Sequence, residues 1–359
     1  MAEKLVIAKF EEDAQAIKYC QEFLTAKPEN RYVFGRNDCA KNIADLVDVG
    51  YFIDDFTEET EYLGKQIIKT EAVPVDALVV ETVFLRPLTV EKKLYDAGIR
   101  HLSYFAFHKY SGLDLTPVFF WDGFGPDIEE NQEKYSWVFG LLEDKESKRI
   151  FEKIINFRLS ADLSYLTGFT DRQAEQYFED FLGLKEQNEV FVDVGGFDGY
   201  TSLEFIKRCP GYRCVYLFEP ELKNMDIAKS RLSEYENINF LQKGLSNKKD
   251  TVRFSIGGSA SAISKNGEIE IKVDALDNMI DGTVTFIKMD IEGAEGRAIE
   301  GARQTIATSH PRLAICVYHK ADDMWKIAEQ VLSIREDYKI YLRHYTEGVT
   351  ETVMFFVPN

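Results

Sequence analysis

A glycine-rich turn that follows an apolar segment constrains the fold of this chain more than any other feature. Residues 190–206 read VFVDVGGFDGYTSLEFI, so an apolar strand is followed by Gly195, Gly196 and Gly199 and then by a helix that begins near Thr201. Glycine permits positive φ angles and lets a ligand approach the backbone closely, and the amides at the start of a helix can bind a carboxylate. The pattern predicts an α/β sheet that binds a ligand at this turn.

The order of the glycines favours one type of cofactor. A dinucleotide-binding turn reads G-x-G-x-x-G, whereas this turn reads G-G-x-D-G, which favours S-adenosylmethionine. Asp193 or Asp198 is predicted to accept a hydrogen bond from the ammonium group of that cofactor. Glu219, at the end of the predicted strand in CVYLFEPE, is predicted to bind both ribose hydroxyls. Glu219 does not by itself distinguish the two cofactors, because dinucleotide-binding enzymes place an acid similarly.

The pattern around this turn, over residues 186–359, predicts a parallel sheet that ends in an antiparallel hairpin. This combination distinguishes class I methyltransferases from plain dinucleotide-binding domains. The predicted strands are residues 190–194, 215–218, 239–242, 284–289, 313–317, 338–345 and 350–357.

The preceding part of the chain contains another α/β pattern and a connector. Residues 1–125 alternate apolar runs, the last at 102–107, with helical stretches, which predicts a smaller Rossmann-like domain. Its first turn has one glycine, Gly35, followed by Arg36-Asn37, so the sequence gives only weak support to a dinucleotide site there. Substrate or nucleotide binding, partner recognition and dimerisation stay open as its role. Residues 126–185 are predicted to be a helical connector with helices at 127–142, 147–159 and 171–182.

Residues 284–302, VTFIKMDIEGAEGRAIEGA, place charged residues at the carboxyl end of a predicted strand. Side chains alternate along a strand, so Lys288 and Asp290 share one face. A buried lysine requires a partner, and Asp290 and Glu292 are the predicted partners. One interpretation is a structural ion-pair network. The other is an active site with Asp290 beside the methyl donor and the substrate hydroxyl, and Glu292 or Glu295 orienting the substrate. The clustered carboxylates also suit a hard cation such as Mg²⁺.

Four strings, VDVGGFDG, FEPE, VDALDN and IKMDIEGAE, occur in this order along the chain. Together they closely resemble the FkbM-type methyltransferase family over roughly residues 171–359. Phe197 departs from methyltransferases generally, in which a glycine is common at this point of the turn. The resemblance implies a sugar or another small polar molecule as methyl acceptor. It also implies an active site at residues 288–295 and cofactor contacts from Asp193, Gly195, Gly199 and Glu219.

His319, in ICVYHKADD, is the predicted general base. It follows the strand predicted at residues 313–317, at the sheet edge where ligands bind in such folds, and imidazole titrates near neutral pH. His344, near the final hairpin turn, is a weaker candidate for the same role. The predicted catalytic set is His319 with Lys288, Asp290 and Glu292.

The charge and the cysteine content limit the partners and the compartment. The chain has 61 acidic and 43 basic residues, a formal net charge of -18, which repels phosphate backbones and argues against nucleic acid as a partner. The five cysteines show no zinc spacing and fit a reducing cytoplasm. No segment is apolar and long enough to predict a membrane span.

These observations lead us to expect a cytoplasmic S-adenosylmethionine-dependent O-methyltransferase that modifies a sugar, a glycan or a natural-product precursor. Homo-oligomerisation stays open. Two alternatives stay open. One is a scaffold that binds the cofactor without turnover. The other is a nucleotide-dependent, sugar-modifying oxidoreductase that uses the first domain.

Overall fold

Two mainly parallel sheets organise the residues that the computed structural model describes, which are 4–116, 118, 123–255, 262–263 and 267–359. The N-terminal sheet contains β1 (Arg31–Phe34), β2 (Tyr51–Ile53), β3 (Glu61–Tyr62), β4 (Lys65–Ile68), β5 (Leu78–Glu81) and β6 (Arg100–Ser103). Its order is β3-β4-β2-β1-β5-β6, and all neighbours are parallel except β3 and β4. Apolar residues such as Val33, Val79 and Val80 are fully buried in its central strands.

The C-terminal half forms a larger and a smaller sheet. Its strands are β7 (Val190–Val194), β8 (Cys214–Phe218), β9 (Ile238–Leu241), β10 (Gly244–Leu245), β11 (Asp250–Ser255), β12 (Ala262–Ile263), β13 (Ile269–Asp274), β14 (Phe286–Met289), β15 (Arg312–Cys316), β16 (Tyr338–His344) and β17 (Thr352–Pro358). The larger sheet has the order β16-β17-β15-β14-β7-β8-β9, with β17 antiparallel to both of its neighbours. This confirms the predicted parallel sheet with an antiparallel C-terminal hairpin. The small sheet, β10-β13-β11-β12, was not predicted.

The helices pack around these sheets, and some of them begin at polar caps. Asp13, Asn37 and Asp144 each accept a hydrogen bond from a backbone amide in the first turn of the helix that follows. The described helices are α1 (Ala14–Thr25), α2 (Asp38–Leu46), α3 (Pro87–Asp96), α4 (Tyr104–Tyr110), α5 (Phe124–Leu141), α6 (Lys145–Ser160), α7 (Tyr200–Arg208), α8 (Leu222–Arg231), α9 (Glu295–Gly301), α10 (Arg303–Ser309) and α11 (Asp323–Leu332). Within the described ranges, none of them combines the length and the apolarity that a membrane span requires.

Two segments differ from their predicted secondary structure. Residues 102–107 were predicted as a strand, but the strand ends at Ser103, whose hydroxyl accepts a hydrogen bond from the Ala106 amide and caps α4. Residues 171–182 were predicted as a helix, but they form two short 3₁₀ turns, Gln173–Glu175 and Asp180–Leu182. Between these turns Tyr177 has a φ of 73°, and a left-handed residue interrupts a right-handed helix.

The turn of the final hairpin packs against the connection between β5 and α3. The Val349 amide donates to the Phe84 carbonyl at 3.2 Å, and the Thr89 amide donates to the Glu347 carboxylate at 2.9 Å. A Cβ atom at Gly348 would lie 1.6 Å from the Phe84 oxygen, so this close approach requires glycine. The N-terminal domain therefore supports the turn between β16 and β17.

Candidate active site

A cavity of about 460 Å³ lies at the carboxyl ends of β7, β8 and β14. In the larger sheet β7 lies between β8 and β14. The strands that follow β7 in the sequence are therefore added first on one side of it and then on the other. This position is the topological switch point of the sheet, where ligands of open α/β sheets bind. One side of the cavity is formed by the turn after β7 and by Glu219. The other side is formed by Asp290, Glu292 and Glu351.

The glycine turn packs tightly against the ends of two strands. Gly195 has a φ of 76°, and a Cβ atom there would lie 2.0 Å from the Asp290 carbonyl oxygen. A Cβ atom at Gly196 would lie 2.5 Å from the Leu217 side chain. The Gly195 and Gly196 amides both donate to the Phe218 carbonyl, at 3.0 and 2.9 Å. Glycine is therefore required at both positions by the packing of the turn, and the turn also lines the cavity as predicted.

Glu219 is held by the same turn. Its two carboxylate oxygens accept hydrogen bonds from the Phe197 amide at 3.0 Å and the Glu221 amide at 2.8 Å. Phe197, the residue that departs from the common glycine, has a φ of 46°, so it takes the left-handed conformation that glycine adopts more easily. Burial raises the pKa of Glu219 to about 7. The carboxylate thus faces the cavity in a fixed orientation.

Lys288 has a different partner from the one predicted. Its ammonium group lies 3.3 Å from the Asp193 carboxylate and donates to the Gly195 carbonyl at 2.6 Å. Asp193 and Lys288 are directly opposite each other on β7 and β14. Burial would lower the pKa of Lys288, but the charges of Asp193 and Asp290 raise it. The predicted pairing with Asp290 or Glu292 is therefore wrong. The ion pair of Lys288 and Asp193 instead lies beneath the glycine turn and holds its backbone in place.

Asp193 and Asp198 occupy different positions. Asp193 is fully buried, accepts a hydrogen bond from the Ser202 hydroxyl at 2.7 Å and is not part of the cavity wall. Asp198 lines the cavity and forms an ion pair of 2.7 Å with Arg231. Of the two predicted acceptors for the cofactor ammonium, only Asp198 is at the cavity surface. Contact by Asp193 stays a prediction that this geometry does not favour.

Asp290 is the centre of a hydrogen-bonded group on the far side of the cavity. Its carboxylate accepts from the Tyr177 hydroxyl at 2.8 Å and from the Tyr318 hydroxyl at 3.4 Å. Burial would raise the pKa of Asp290, but the positive charges of His319 and Lys288 lower it. Asp290 is therefore ionised at neutral pH and held rigidly.

Glu292 and Glu351 flank Asp290 in the cavity. Burial raises the pKa of Glu292 to about 7, and burial together with the charge of Asp290 raises the pKa of Glu351 to about 7. Their φ angles are 53° and 67°, and left-handed backbone at residues other than glycine is concentrated at functional sites. With Tyr177 and Phe197, four such residues surround this one cavity.

Sequence reasoning missed Tyr177 and Glu351. Tyr177 falls inside a segment predicted to be a regular helix, and Glu351 is in the final hairpin, far along the chain from the other acids. The Glu351 carboxylate reaches the cavity because β17 lies next to β15, and the Gln176 side chain then donates to it. Only the acidic residue itself within TEGVTE could have drawn attention to this position.

His319 is buried among carboxylates. Its Nδ1 atom lies 3.0 Å from Glu295, and its Nε2 atom lies 3.4 Å from Asp290 and 3.5 Å from Glu292. Burial would lower the pKa of His319, but the charges of Glu295, Asp290 and Glu292 raise it to about 10. The ring is then protonated at neutral pH and does not accept a proton, which disagrees with the predicted role of general base.

Two other predicted features serve the structure. His344 is buried, its ring nitrogens contact Thr352 and Gly348 at 2.9 and 3.0 Å, and burial lowers its pKa to about 3. In the N-terminal turn, Arg36 forms ion pairs with Asp54 and Glu59. The Asn37 side chain caps α2 and donates to a backbone carbonyl at 2.6 Å. These groups are therefore engaged in contacts within their own domains.

The seven-stranded sheet with its antiparallel hairpin, the glycine turn and the acid at the end of the next strand define a class I methyltransferase fold. Residues 193–344 match the model of the methyltransferase FkbM domain. This part of the chain is therefore an FkbM methyltransferase domain, and the protein is a methyltransferase. No curated protein matches the chain.

Solved structures are similar to this chain over different lengths and to different degrees. Methyltransferase FkbM from Methylobacillus flagellatus KT is 24% identical with a TM-score of 0.77, and the match covers 96% of this chain and 93% of that one. An rRNA methylase from Streptococcus thermophilus is 16% identical with a TM-score of 0.35, over 50% of this chain and 92% of that one. The first comparison extends the common fold to both domains.

Proposed function

We propose that the protein transfers the methyl group of S-adenosylmethionine to a hydroxyl oxygen of a small polar substrate, a sugar or a glycan or natural-product precursor. The observation that carries this proposal is a single cavity with the glycine turn and Glu219 at one end and three carboxylates at the other. Its volume of about 460 Å³ is within the range of roughly 300–1,000 Å³ that ligand sites usually have.

The end formed by the turn suits the cofactor. We expect the methionine part to lie along Gly195 and Gly196, where no side chain obstructs the backbone, and its ammonium group to approach Asp198. Glu219 is oriented by two backbone amides and accepts hydrogen bonds from the ribose hydroxyls. This arrangement directs the sulfonium methyl toward Asp290.

The end formed by the carboxylates suits a hydroxyl acceptor. The acceptor oxygen attacks the methyl carbon, the bond between carbon and sulfur breaks with its electron pair on sulfur, and the hydroxyl proton passes to a carboxylate. Glu351 is the proposed base because it lines the cavity and its side chain is oriented by Gln176 and Tyr318. Alignment of the two reactants contributes on the order of 7–11 kcal/mol to such a reaction.

The charge of this wall limits the substrate class. Asp290, Glu292 and Glu351 repel phosphate groups, and their oxygens accept hydrogen bonds from hydroxyl or amino groups. Neutral or cationic molecules with several hydroxyls fit this environment, and nucleic acid does not. These carboxylates can also accept the proton that a hydroxyl loses on methylation, which favours an oxygen atom over a carbon atom as the methyl acceptor.

The test is transfer of an isotopically labelled methyl group to a panel of neutral sugars, amino sugars and polyols, with products identified by their mass. We expect a monomethylated product from at least one member. Glu351→Gln should lower kcat by roughly 10²–10⁴-fold without changing the Kd of the cofactor, and the exposed Glu336→Gln is the matched control. Cofactor binding without transfer to any acceptor would instead favour the scaffold alternative.

We also propose that the N-terminal domain positions the hairpin that carries Glu351, because Phe84 and Thr89 hold the turn of that hairpin. All five cysteines are free, which supports the proposed location in a reducing compartment such as the cytoplasm. Homo-oligomerisation stays a prediction.

A further inference from the structure

We propose that Asp290, Glu292 and His319 bind a divalent metal ion of the Mn²⁺ or Co²⁺ type at the acceptor end of the cavity. One ligand atom from each of the three residues lies within 4.8 Å of the others. The existence of the site is independent of methyl transfer. Its role, contact with the acceptor hydroxyl, rests on the proposed function.

The distances between the ligand atoms suit one ion. The Nε2 atom of His319 lies 3.4 Å from an Asp290 oxygen and 3.5 Å from a Glu292 oxygen. Ligand atoms bound at roughly 2.1 Å and at octahedral to tetrahedral angles are roughly 3.0–3.4 Å apart. The two distances from Nε2 are close to this range, and the Asp290 and Glu292 oxygens lie within 4.8 Å of each other, so small side-chain rotations would bring all three atoms around one ion.

The imidazole ring is directed into this site. The His319 side chain is 1% exposed, and neither of its ring nitrogens forms a hydrogen bond with the described residues. Buried polar atoms normally have a partner. A nitrogen atom that faces two carboxylate oxygens without a hydrogen bond is the feature that distinguishes this group from an ordinary cluster of acids.

The other ring nitrogen lies beside a carboxylate, the type of group that metal-binding histidines usually contact. The Nδ1 atom lies 3.0 Å from an oxygen of Glu295, which is fully buried and accepts a hydrogen bond from the Ile291 amide at 2.9 Å. Histidine ligands commonly donate their second N–H to a carboxylate, which fixes the tautomer and the orientation of the ring. Glu295 would hold His319 with Nε2 toward the ion.

The ligand set and the access route narrow the choice of ion. Imidazole nitrogen with two carboxylates favours a first-row transition metal over Mg²⁺, which prefers oxygen ligands. A second group, Glu295, His319 and Asp323, also has suitable spacing. All three of its members are buried, whereas Asp290 and Glu292 line the cavity, so an ion and a substrate can both reach only the first group.

An ion at this position would assist the proposed reaction. A coordinated hydroxyl loses its proton more easily than a free one, and the ion would also place the acceptor oxygen beside the methyl group. The ion would offset the repulsion among the clustered carboxylates. His319 would then act as a ligand and not as the base, with the ion in place of the proton that its Nε2 atom holds in the ion-free protein.

The test is titration of the full-length protein with Mn²⁺, monitored by electron paramagnetic resonance of the free ion. We expect one bound equivalent for the wild type, loss of binding in His319→Ala and Asp290→Asn, and binding weakened by roughly 10–100-fold in Glu295→Gln. The variant His310→Ala, which removes a histidine that pairs with Asp337 instead, is the matched control and should bind like the wild type. Glu292→Gln, at the cavity surface, tests the site if His319→Ala does not fold.

Wild-type protein that binds no Mn²⁺ at millimolar concentration would overturn the proposal, and so would unchanged binding in folded Asp290→Asn and Glu292→Gln variants. Calorimetric titration of the same preparation with S-adenosylmethionine separates the two proposals. Cofactor binding without Mn²⁺ binding refutes only the metal site, and Mn²⁺ binding without cofactor binding refutes only the proposed function.

Discussion

Replacement of Glu219 by glutamine tests how the cavity recognises the ribose. Burial raises the pKa of Glu219 to about 7 in the free protein, and hydrogen-bond donors on the ligand favour the ionised form. Protonation therefore competes with cofactor binding as the pH falls. For a pKa of about 7, the Kd should rise about tenfold between pH 8 and pH 6, which corresponds to about 1.4 kcal/mol.

The variant Glu219→Gln should remove this contribution to the pH dependence. At pH 8 it should also weaken binding by roughly 1.5–3 kcal/mol, the usual value of hydrogen bonds to a charged group. The assay is calorimetric titration with S-adenosylmethionine at several pH values, with the exposed Glu234→Gln as the matched control. The difference between wild type and variant isolates Glu219, because titration of the ligand's amino group is common to both. An unchanged pH slope in Glu219→Gln would refute the assignment.

Three further predictions concern the turn, the hairpin and stability. Gly195→Ala should abolish cofactor binding in a folded protein, since its Cβ atom would lie 2.0 Å from the Asp290 carbonyl oxygen; normal affinity by calorimetry would contradict the packing described. In Gly348→Ala the new Cβ atom would lie 1.6 Å from the Phe84 oxygen, so the hairpin that carries Glu351 should be displaced. This variant should lower kcat more than it raises the Kd of the cofactor. Equal effects on kcat and Kd would argue against a role of the hairpin that is confined to the acceptor end of the cavity. Glu81 is fully buried with its pKa raised from 4.5 to about 8, so the folded state binds the proton more tightly than the unfolded state. The free energy of unfolding should therefore fall by a few kcal/mol as the pH rises from about 4.5 to about 8. Glu81→Gln should flatten this dependence in urea unfolding, and an identical slope would contradict the burial of an ionisable group there.

The sequence predicts the parts of the fold that depend on local pattern. The strand, turn and helix around Gly195 are found as expected, and so is the final antiparallel hairpin, because apolar periodicity and glycine placement are properties of neighbouring residues. The failed helix over residues 171–182 has the opposite cause. Tyr177 takes a left-handed conformation because its hydroxyl is held by Asp290 across the fold, and tertiary contacts override helix propensity.

The electrostatic partners were harder to predict than the site itself. The partner of Lys288 is Asp193, on the neighbouring strand, and only the register of β7 and β14 brings them together. His319 was correctly placed at the sheet edge, but three carboxylates set its protonation state. Glu351 arrives from the hairpin, so its place in the cavity depends on strand order that spacing along the chain does not reveal.

The main proposal is that the cavity beside the glycine turn binds S-adenosylmethionine. It is tested most directly by calorimetric titration of the purified full-length protein with S-adenosylmethionine and, in parallel, with NAD(H). We expect micromolar or tighter binding of S-adenosylmethionine and no binding of NAD(H). Binding of NAD(H) alone would contradict it and would move the ligand site to the N-terminal domain.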